Sequence, residues 1–193
     1  MANLIILEGV SRTGKSSITK ILSEEYGFKH ISIVDKMPDF IESDKLPSFY
    51  HGMHVISNHF FKTLSDETFV LDRSFLSEIV YSKFFERESL INRDDVINDL
   101  LFDNNFVIIN LTATYDNYLE RVPKDKKVYT ESDFHKQKDL FYWHFDKYKS
   151  YSGSPNWDSR FEEIDTSKYS IQESIHLIKN KLITNSILHH VEN

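Results

Sequence analysis

Apolar positions along the chain follow two patterns: short unbroken runs, and longer stretches with apolar residues three or four apart. Leu4-Ile5-Ile6-Leu7 is the first such run and reads as a buried strand. A helical pattern starts near Lys15, carries Ile18, Ile21 and Leu22 on one face through Tyr26, and stops at Gly27. His30 to Val34 predicts a second strand. A less regular piece with Pro38 and Pro47 follows, then an aromatic helix from about Ser48 to Leu64. Phe69-Val70-Leu71 is a third strand, closed by Asp72, and Ser74 to Phe85 is helical. Ile91 to Phe102 predicts a further helix whose start is favoured by Asn92, Asp94 and Asp95. Phe106 to Leu111 is the clearest buried strand. Next come a helix from Tyr115 to Val122, a polar, lysine-rich segment from Pro123 to Ser132, and a long helix from Asp133 to about Tyr148. Tyr151 to Asp158, with Gly153 and Pro155, reads as a loop, Phe161 to Asp165 as the last strand, and Ser170 to about Leu182 as the last helix.

Buried strands alternating with helices predict an α/β domain: a parallel central sheet of about five strands, helices on both faces, and ligands at the carboxyl ends of the strands. The chain has no internal repeat, low-complexity tract or interdomain linker, so residues 1–193 are expected to form a single domain.

Composition narrows the class. With 40% hydrophobic and 27% charged residues the chain reads as an ordinary soluble protein, and no apolar run is long enough to cross a bilayer. The opening run is too short for a signal peptide and lacks a basic lead, so a cytoplasmic location and no membrane partner are expected. The absence of cysteine excludes disulfides, thiolate metal sites and a cysteine nucleophile. The nine histidines show no metal-ligand spacing; His51 and His54, and the His189-His190 pair, read as surface or packing residues. A net charge of −7 argues against a general nucleic-acid binder, which needs a basic face to displace counterions. A small anionic substrate needs only a few local cations.

Two clusters carry chemistry. Gly9-Val10-Ser11-Arg12-Thr13-Gly14-Lys15-Ser16 fits GxxxxGK[ST], between a strand and a helix. Glycines at both ends let backbone N–H groups turn around a phosphate, the helix N-terminus adds partial positive charge, and Gly9 to Ser17 forms the expected nucleotide-binding segment. Lys15 would reach the β- and γ-phosphates of ATP, and Ser16 would offer its hydroxyl to Mg²⁺. The plainer alternative is a glycine turn that binds nothing. Asp72 closes a strand, where a carboxylate can hold Mg²⁺ directly or through water, and Arg73 offers a forked guanidinium to phosphate oxygens. The alternative there is a turn with a surface ion pair.

These residues resemble the eukaryotic-type thymidylate kinases. That family's loop reads close to LEGVDRAGKS where this chain has LEGVSRTGKS, and its DR(Y/F)xxSxxAY matches at Asp72, Arg73, Ser77 and Tyr81. The likeness continues through Val107 to Arg121 and Phe161 to Asp165. It implies a P-loop kinase fold with a short lid at about 123–132, and transfer of the γ-phosphoryl of ATP, with Mg²⁺, to a deoxynucleoside monophosphate. It also implies a homodimer. Arg12, Lys15, Asp72 and Arg73 become the catalytic set. Arg12 is the candidate for stabilising the transferred phosphoryl, because Lys124, Lys126 and Lys127 give the lid cations but no arginine. In the resemblance Arg73 holds the acceptor phosphate, and Tyr50 stands where an aromatic residue stacks on the acceptor base. His54 replaces an arginine four residues later and Ser11 replaces a sugar-binding aspartate. Tyr50 and His54 equally suit core packing, since Phe49, Phe60 and Phe61 make the whole helix aromatic.

Lys36 is a further candidate for the acceptor phosphate, and Asp35 raises the competing reading. Deoxynucleoside kinases need a carboxylate at that strand end as general base for a 5′-hydroxyl, and usually show Glu-Arg-Ser where this chain has Asp72-Arg73-Ser74. The expected function is therefore a nucleoside monophosphate kinase, with a deoxynucleoside kinase as the alternative and a regulatory P-loop ATPase behind both. A GTPase is disfavoured, since no (N/T)KxD follows Asn110 and no DxxG begins at Asp72.

Overall fold

A computed structural model describes residues 1–32, 42–64, 66–92, 94, 101, 104–123, 128–150 and 157–188. Five strands, β1 (Asn3–Glu8), β2 (Lys29–Ile31), β3 (Thr68–Asp72), β4 (Asn105–Thr112) and β5 (Phe161–Asp165), form one sheet in the order β2-β3-β1-β4-β5. All four pairings are parallel. Around them lie α1 (Lys15–Tyr26), α2 (Leu46–Thr63), α3 (Phe75–Phe84), α4 (Tyr115–Arg121), α5 (Glu131–Lys149) and α6 (Ile171–Thr184).

The alternation of strand side chains puts helices on both faces. Leu4 and Ile6 of β1, with Phe69, Leu71, Phe106 and Ile108, point to a core closed by Phe61 of α2, Phe75 and Ile79 of α3 and Tyr148 of α5. Their neighbours Ile5, Leu7, Val70, Val107 and Ile109 point to the opposite core, closed by Ile18 and Leu22 of α1 and Ile175, Ile178 and Leu182 of α6. A third cluster, Val10, Val80, Tyr118, Phe134 and Phe141, sits beyond the carboxyl end of β1 and packs α3, α4 and α5 together there. Because β1 lies between β3 and β4, the strand order reverses direction around it, and the crevice above its carboxyl end is where open α/β sheets bind ligands.

Several element ends differ from the sequence reading, each for a local reason. Helix α2 starts at Leu46 rather than Ser48, because Pro47 sits in the first turn, where no backbone donor is needed. Ser74 is the cap of α3 and not its first residue; its hydroxyl accepts from the Leu76 N–H at 3.1 Å. Thr130 caps α5, so Glu131 and Ser132, read as the end of the polar segment, belong to the helix. Asp158, read as loop, starts a 3₁₀ turn through Arg160. Strand β2 ends at Ile31, and residues 33–34 of the expected strand lie outside the described residues, as do residues 93, 95–100 and 102 of the expected helix, residues 151–156 of the expected loop and the His189-His190 pair. Among the described residues no helix is long and apolar enough to cross a membrane, and no group of three or more metal-ligating side chains assembles.

Phe106 is 1% exposed and packs edge-on against Trp157, with ring centroids 5.1 Å apart, and against Phe161 at 5.9 Å. Phe106→Ala is expected to cost about 3–5 kcal/mol in denaturant unfolding; a loss below about 1 kcal/mol would contradict this account of the core.

Candidate functional site

Strand β1 delivers the chain to Gly9, whose φ of 120° few L-residues adopt. A Cβ there would lie 2.0 Å from the Leu111 carbonyl oxygen, so the loop can leave the sheet only through glycine. Gly14, at φ 91°, is the N-cap of α1. The next residue, Lys15, is 5% exposed, and its Nζ donates to the carbonyls of Gly9 at 3.0 Å and Val10 at 2.6 Å and to the Thr13 hydroxyl at 3.2 Å. Thr13 in turn donates to the Val10 carbonyl at 3.0 Å. The ammonium is thus held under the loop by neutral carbonyl and hydroxyl oxygens.

The second cluster meets the first through sheet register. Leu7 stands opposite Asp72 in the β1–β3 pair, and the Ser16 hydroxyl, one residue into the helix after Lys15, donates to Asp72 Oδ2 at 2.5 Å. The donor set is a hydroxyl and a carboxylate at a helix N-terminus, oxygen ligands of the kind Mg²⁺ takes. Arg73 follows in a left-handed conformation, φ 71°. Its N–H donates to the Leu7 carbonyl at 3.0 Å, and its guanidinium turns back over the loop. Nη1 donates to the Gly9 carbonyl at 2.9 Å and the Ser77 hydroxyl at 3.2 Å, Nη2 to the Ser11 hydroxyl at 3.4 Å. The carbon at its centre lies 5.1 Å from the Tyr81 ring centroid and 6.0 Å from that of Phe141.

The loop, Asp72 and Arg73 line one wall of a cleft of about 1000 Å³. Tyr118, Arg121, Val122 and Tyr129 form another wall, and Thr166, Tyr169 and Ile171 a third. Arg12 is exposed on the rim, at φ 67°. Its carbonyl accepts from Arg121 Nη1 at 3.2 Å, and Arg121 also donates to the Thr166 hydroxyl and carbonyl, both at 2.9 Å, so one side chain ties the loop to the segment after β5.

Of the sequence-predicted residues, Gly9 to Ser17, Asp72, Arg73, Ser77 and Tyr81 come together at this end of the sheet. Tyr50 and His54 do not line the cleft. Tyr50 is buried beneath the Arg87 guanidinium, 5.5 Å from its ring centroid, and Arg87 bonds both oxygens of the buried Glu78 carboxylate. Burial pushes the Glu78 carboxyl up, against the pull of Arg87. His54 packs edge-on against Phe75 at 4.6 Å. Both lie on the buried face of α2, together with Pro47, Ser57, Asn58 and Phe61. Asp35, Lys36, Lys124, Lys126 and Lys127 lie outside the described residues.

Two polar residues of the site were not singled out from the sequence. Arg121 carries no local signal beyond closing a helix. Glu8 had one: it is an acid at the end of an otherwise apolar strand, and it is 2% exposed. Its Oε1 accepts from the Ser74 N–H at 2.8 Å and the Ser74 hydroxyl at 2.6 Å, and its Oε2 from the Ser77 hydroxyl. Burial pushes the Glu8 carboxyl up, opposed by these hydrogen bonds and by the Arg73 charge.

The Gly9 geometry is testable against a control. Gly27 has a φ of 69° but open space around a built Cβ, so Gly27→Ala pays backbone strain alone, about 1 kcal/mol. Gly9→Ala adds a collision with β4 and is expected to lose at least about 2 kcal/mol more in thermal or chemical unfolding; equal losses would contradict the close approach to Leu111.

No protein-family model matches the sequence, and no curated protein matches it. Solved structures do. The YorR protein of Bacillus subtilis, in complex with phosphorylated GDP, is similar over 97% of this chain and 99% of its own, with a TM-score of 0.65 and 20% identity. Thymidylate kinase from Candida albicans is similar over 95% of this chain and 92% of its own, with a TM-score of 0.61 and 20% identity. Deoxyadenosine kinase from M. mycoides, with dCMP and dCDP bound, covers 97% and 100%, with a TM-score of 0.58 and 19% identity. At such identity the likeness is one of architecture: the chain has the α/β fold of the P-loop nucleotide kinases, with a five-stranded parallel sheet.

Proposed function

We propose that the protein is an ATP-dependent nucleotide kinase that transfers the γ-phosphoryl of ATP to the phosphate of a deoxynucleoside monophosphate. The observation that carries this reading is Arg73: a guanidinium, 6% exposed, held against the loop that would grip ATP and bonded to neutral oxygens, with no carboxylate at ion-pair distance among the described residues. A cation in that position suits an acceptor that is itself an anion. The fold shared with a thymidylate kinase and a deoxyadenosine kinase supports the coarser part of this reading, a nucleotide or nucleoside kinase.

In this scheme the N–H groups of residues 9–17 and the Lys15 ammonium bind the triphosphate, with Lys15 exchanging the Gly9 and Val10 carbonyls for phosphate oxygens. Ser16 and Asp72 would hold Mg²⁺, which would supply neutralising charge at the β- and γ-phosphates. Arg73 orients the acceptor phosphate, and Arg12, on the rim, places its charge on the transferred group. An acceptor phosphate oxygen bonds to the γ-phosphorus as the bond to the β-phosphate oxygen breaks, giving ADP and a deoxynucleoside diphosphate. The acceptor is already ionised, so no general base is required of the protein. The segment around 123–132 would act as a lid that keeps water from the phosphoryl group.

A steady-state panel of nucleoside monophosphates and nucleosides with Mg·ATP tests the proposal. Turnover stimulated by monophosphates supports it; stimulation by nucleosides alone would assign the 5′-hydroxyl reaction, and stimulation by neither would leave only nucleotide binding. Lys15→Ala and Asp72→Ala are each expected to lower kcat/KM by at least about 100-fold, and undiminished turnover would remove the role assigned. Arg12→Ala should lower kcat by more than it weakens ATP binding, and a change in ATP affinity alone would contradict its placement. For Arg73→Ala the expected loss is in saturation by the acceptor.

A further inference from the structure

We propose that Glu8 is a positioning residue for Arg73, acting through the Ser77 hydroxyl and the Arg73–Ser74 backbone rather than by touching a ligand. The inference rests on the acceptor role proposed for Arg73 and deepens it. Two consecutive peptide N–H groups leave the carboxyl end of β3, and both are pinned to consecutive residues of β1. The Arg73 N–H goes to the Leu7 carbonyl at 3.0 Å, and the Ser74 N–H to Glu8 Oε1 at 2.8 Å. Between them sits the left-handed Arg73, φ 71°, a conformation uncommon for residues other than glycine, here flanked on both sides by these two hydrogen bonds.

The side-chain half of the argument is about proton direction. Three donors converge on the two Glu8 oxygens, the pattern of an acceptor-only carboxylate. A serine hydroxyl has one proton. Ser77 gives its proton to Glu8, which turns the oxygen lone pairs toward Arg73 Nη1 at 3.2 Å. Ser74 likewise donates to Glu8 and accepts from the Leu76 N–H, capping α3. The carboxylate therefore fixes the backbone that launches Arg73 and the hydroxyl that steadies its guanidinium. With the hydroxyl as a spacer, Glu8 offsets the buried charge without pairing with it directly, and the guanidinium fork stays available for an anion. Glutamine at position 8 keeps the shape but turns one acceptor into a donor, so one of the two serines must rotate away.

The test joins a structural readout to a kinetic one. In the free protein, the side-chain guanidinium NMR signal of Arg73, assigned by its loss in Arg73→Lys, should show restricted rotation. Glu8→Gln and Ser77→Ala should both release it. In steady state, Glu8→Gln should raise the acceptor KM by about tenfold, leave the KM for Mg·ATP within about twofold, and add nothing when Arg73 is already lysine. A guanidinium signal indifferent to Glu8→Gln, or KM effects that multiply in the double variant, would overturn the proposal. Should Glu8→Gln fail to fold, Ser77→Ala carries the same expectations, since Ser77 is the link between the two charges. A wild-type protein without acceptor-dependent turnover would sink the kinase reading, while the NMR result would still decide the role of Glu8.

Discussion

The parallel pairing of β1 with β3 is the constraint on which the rest of the site depends. With Leu7 opposite Asp72, the two chains leave the sheet side by side, and everything chemically useful lies within a few residues of that point. The glycine loop runs out of one strand and the Asp72-Arg73 pair out of the other. Hydrogen bonds then sew them together: Arg73 N–H to Leu7, Arg73 Nη1 to Gly9, Ser74 to Glu8, and Ser16 to Asp72. A slip of this register by one residue would turn every core-facing side chain of the strand over and carry Asp72 away from Ser16.

The electrostatics follow from that geometry. Two buried cations, Lys15 and Arg73, share the Gly9 carbonyl, and both bond to neutral oxygens beside the loop. Among the described residues, Asp72 accepts from the Ser16 hydroxyl, and Glu8 stands behind the Ser77 hydroxyl that Arg73 bonds. Lys15 and Arg73 thus place two positive charges beside the loop in a chain of net charge −7, where a polyphosphate would lie. Arg121 extends the organisation to the opposite wall by holding the loop carbonyl of Arg12 and the Thr166 segment at once.

Much of this was legible in the sequence because its determinants are local. Buried parallel strands read as unbroken apolar runs, so β1, β3 and β4 were visible as such, and the loop was visible because Gly9 and Gly14 need backbone conformations other residues resist. What was illegible depends on partners distant in sequence. Glu8 gains its meaning from Ser74 and Ser77, 66 and 69 residues away, and Arg121 from Arg12 and Thr166. Tyr50 and His54 could be placed only once α2 showed which of its faces meets the sheet. The start of that helix was misplaced because Pro47 read as a breaker, although a proline in the first turn starts a helix as readily as it ends one.

The most direct measurement is a crystal structure of the protein with a bisubstrate inhibitor, adenosine joined to a deoxynucleoside through five phosphates. The account predicts the polyphosphate across the mouth of the 9–16 loop, with Lys15 withdrawn from the Gly9 and Val10 carbonyls onto it and the Arg73 guanidinium on the phosphate nearest the deoxynucleoside. A ligand bound elsewhere, or one seated with no phosphate oxygen within hydrogen-bond reach of the Arg73 guanidinium, would contradict it.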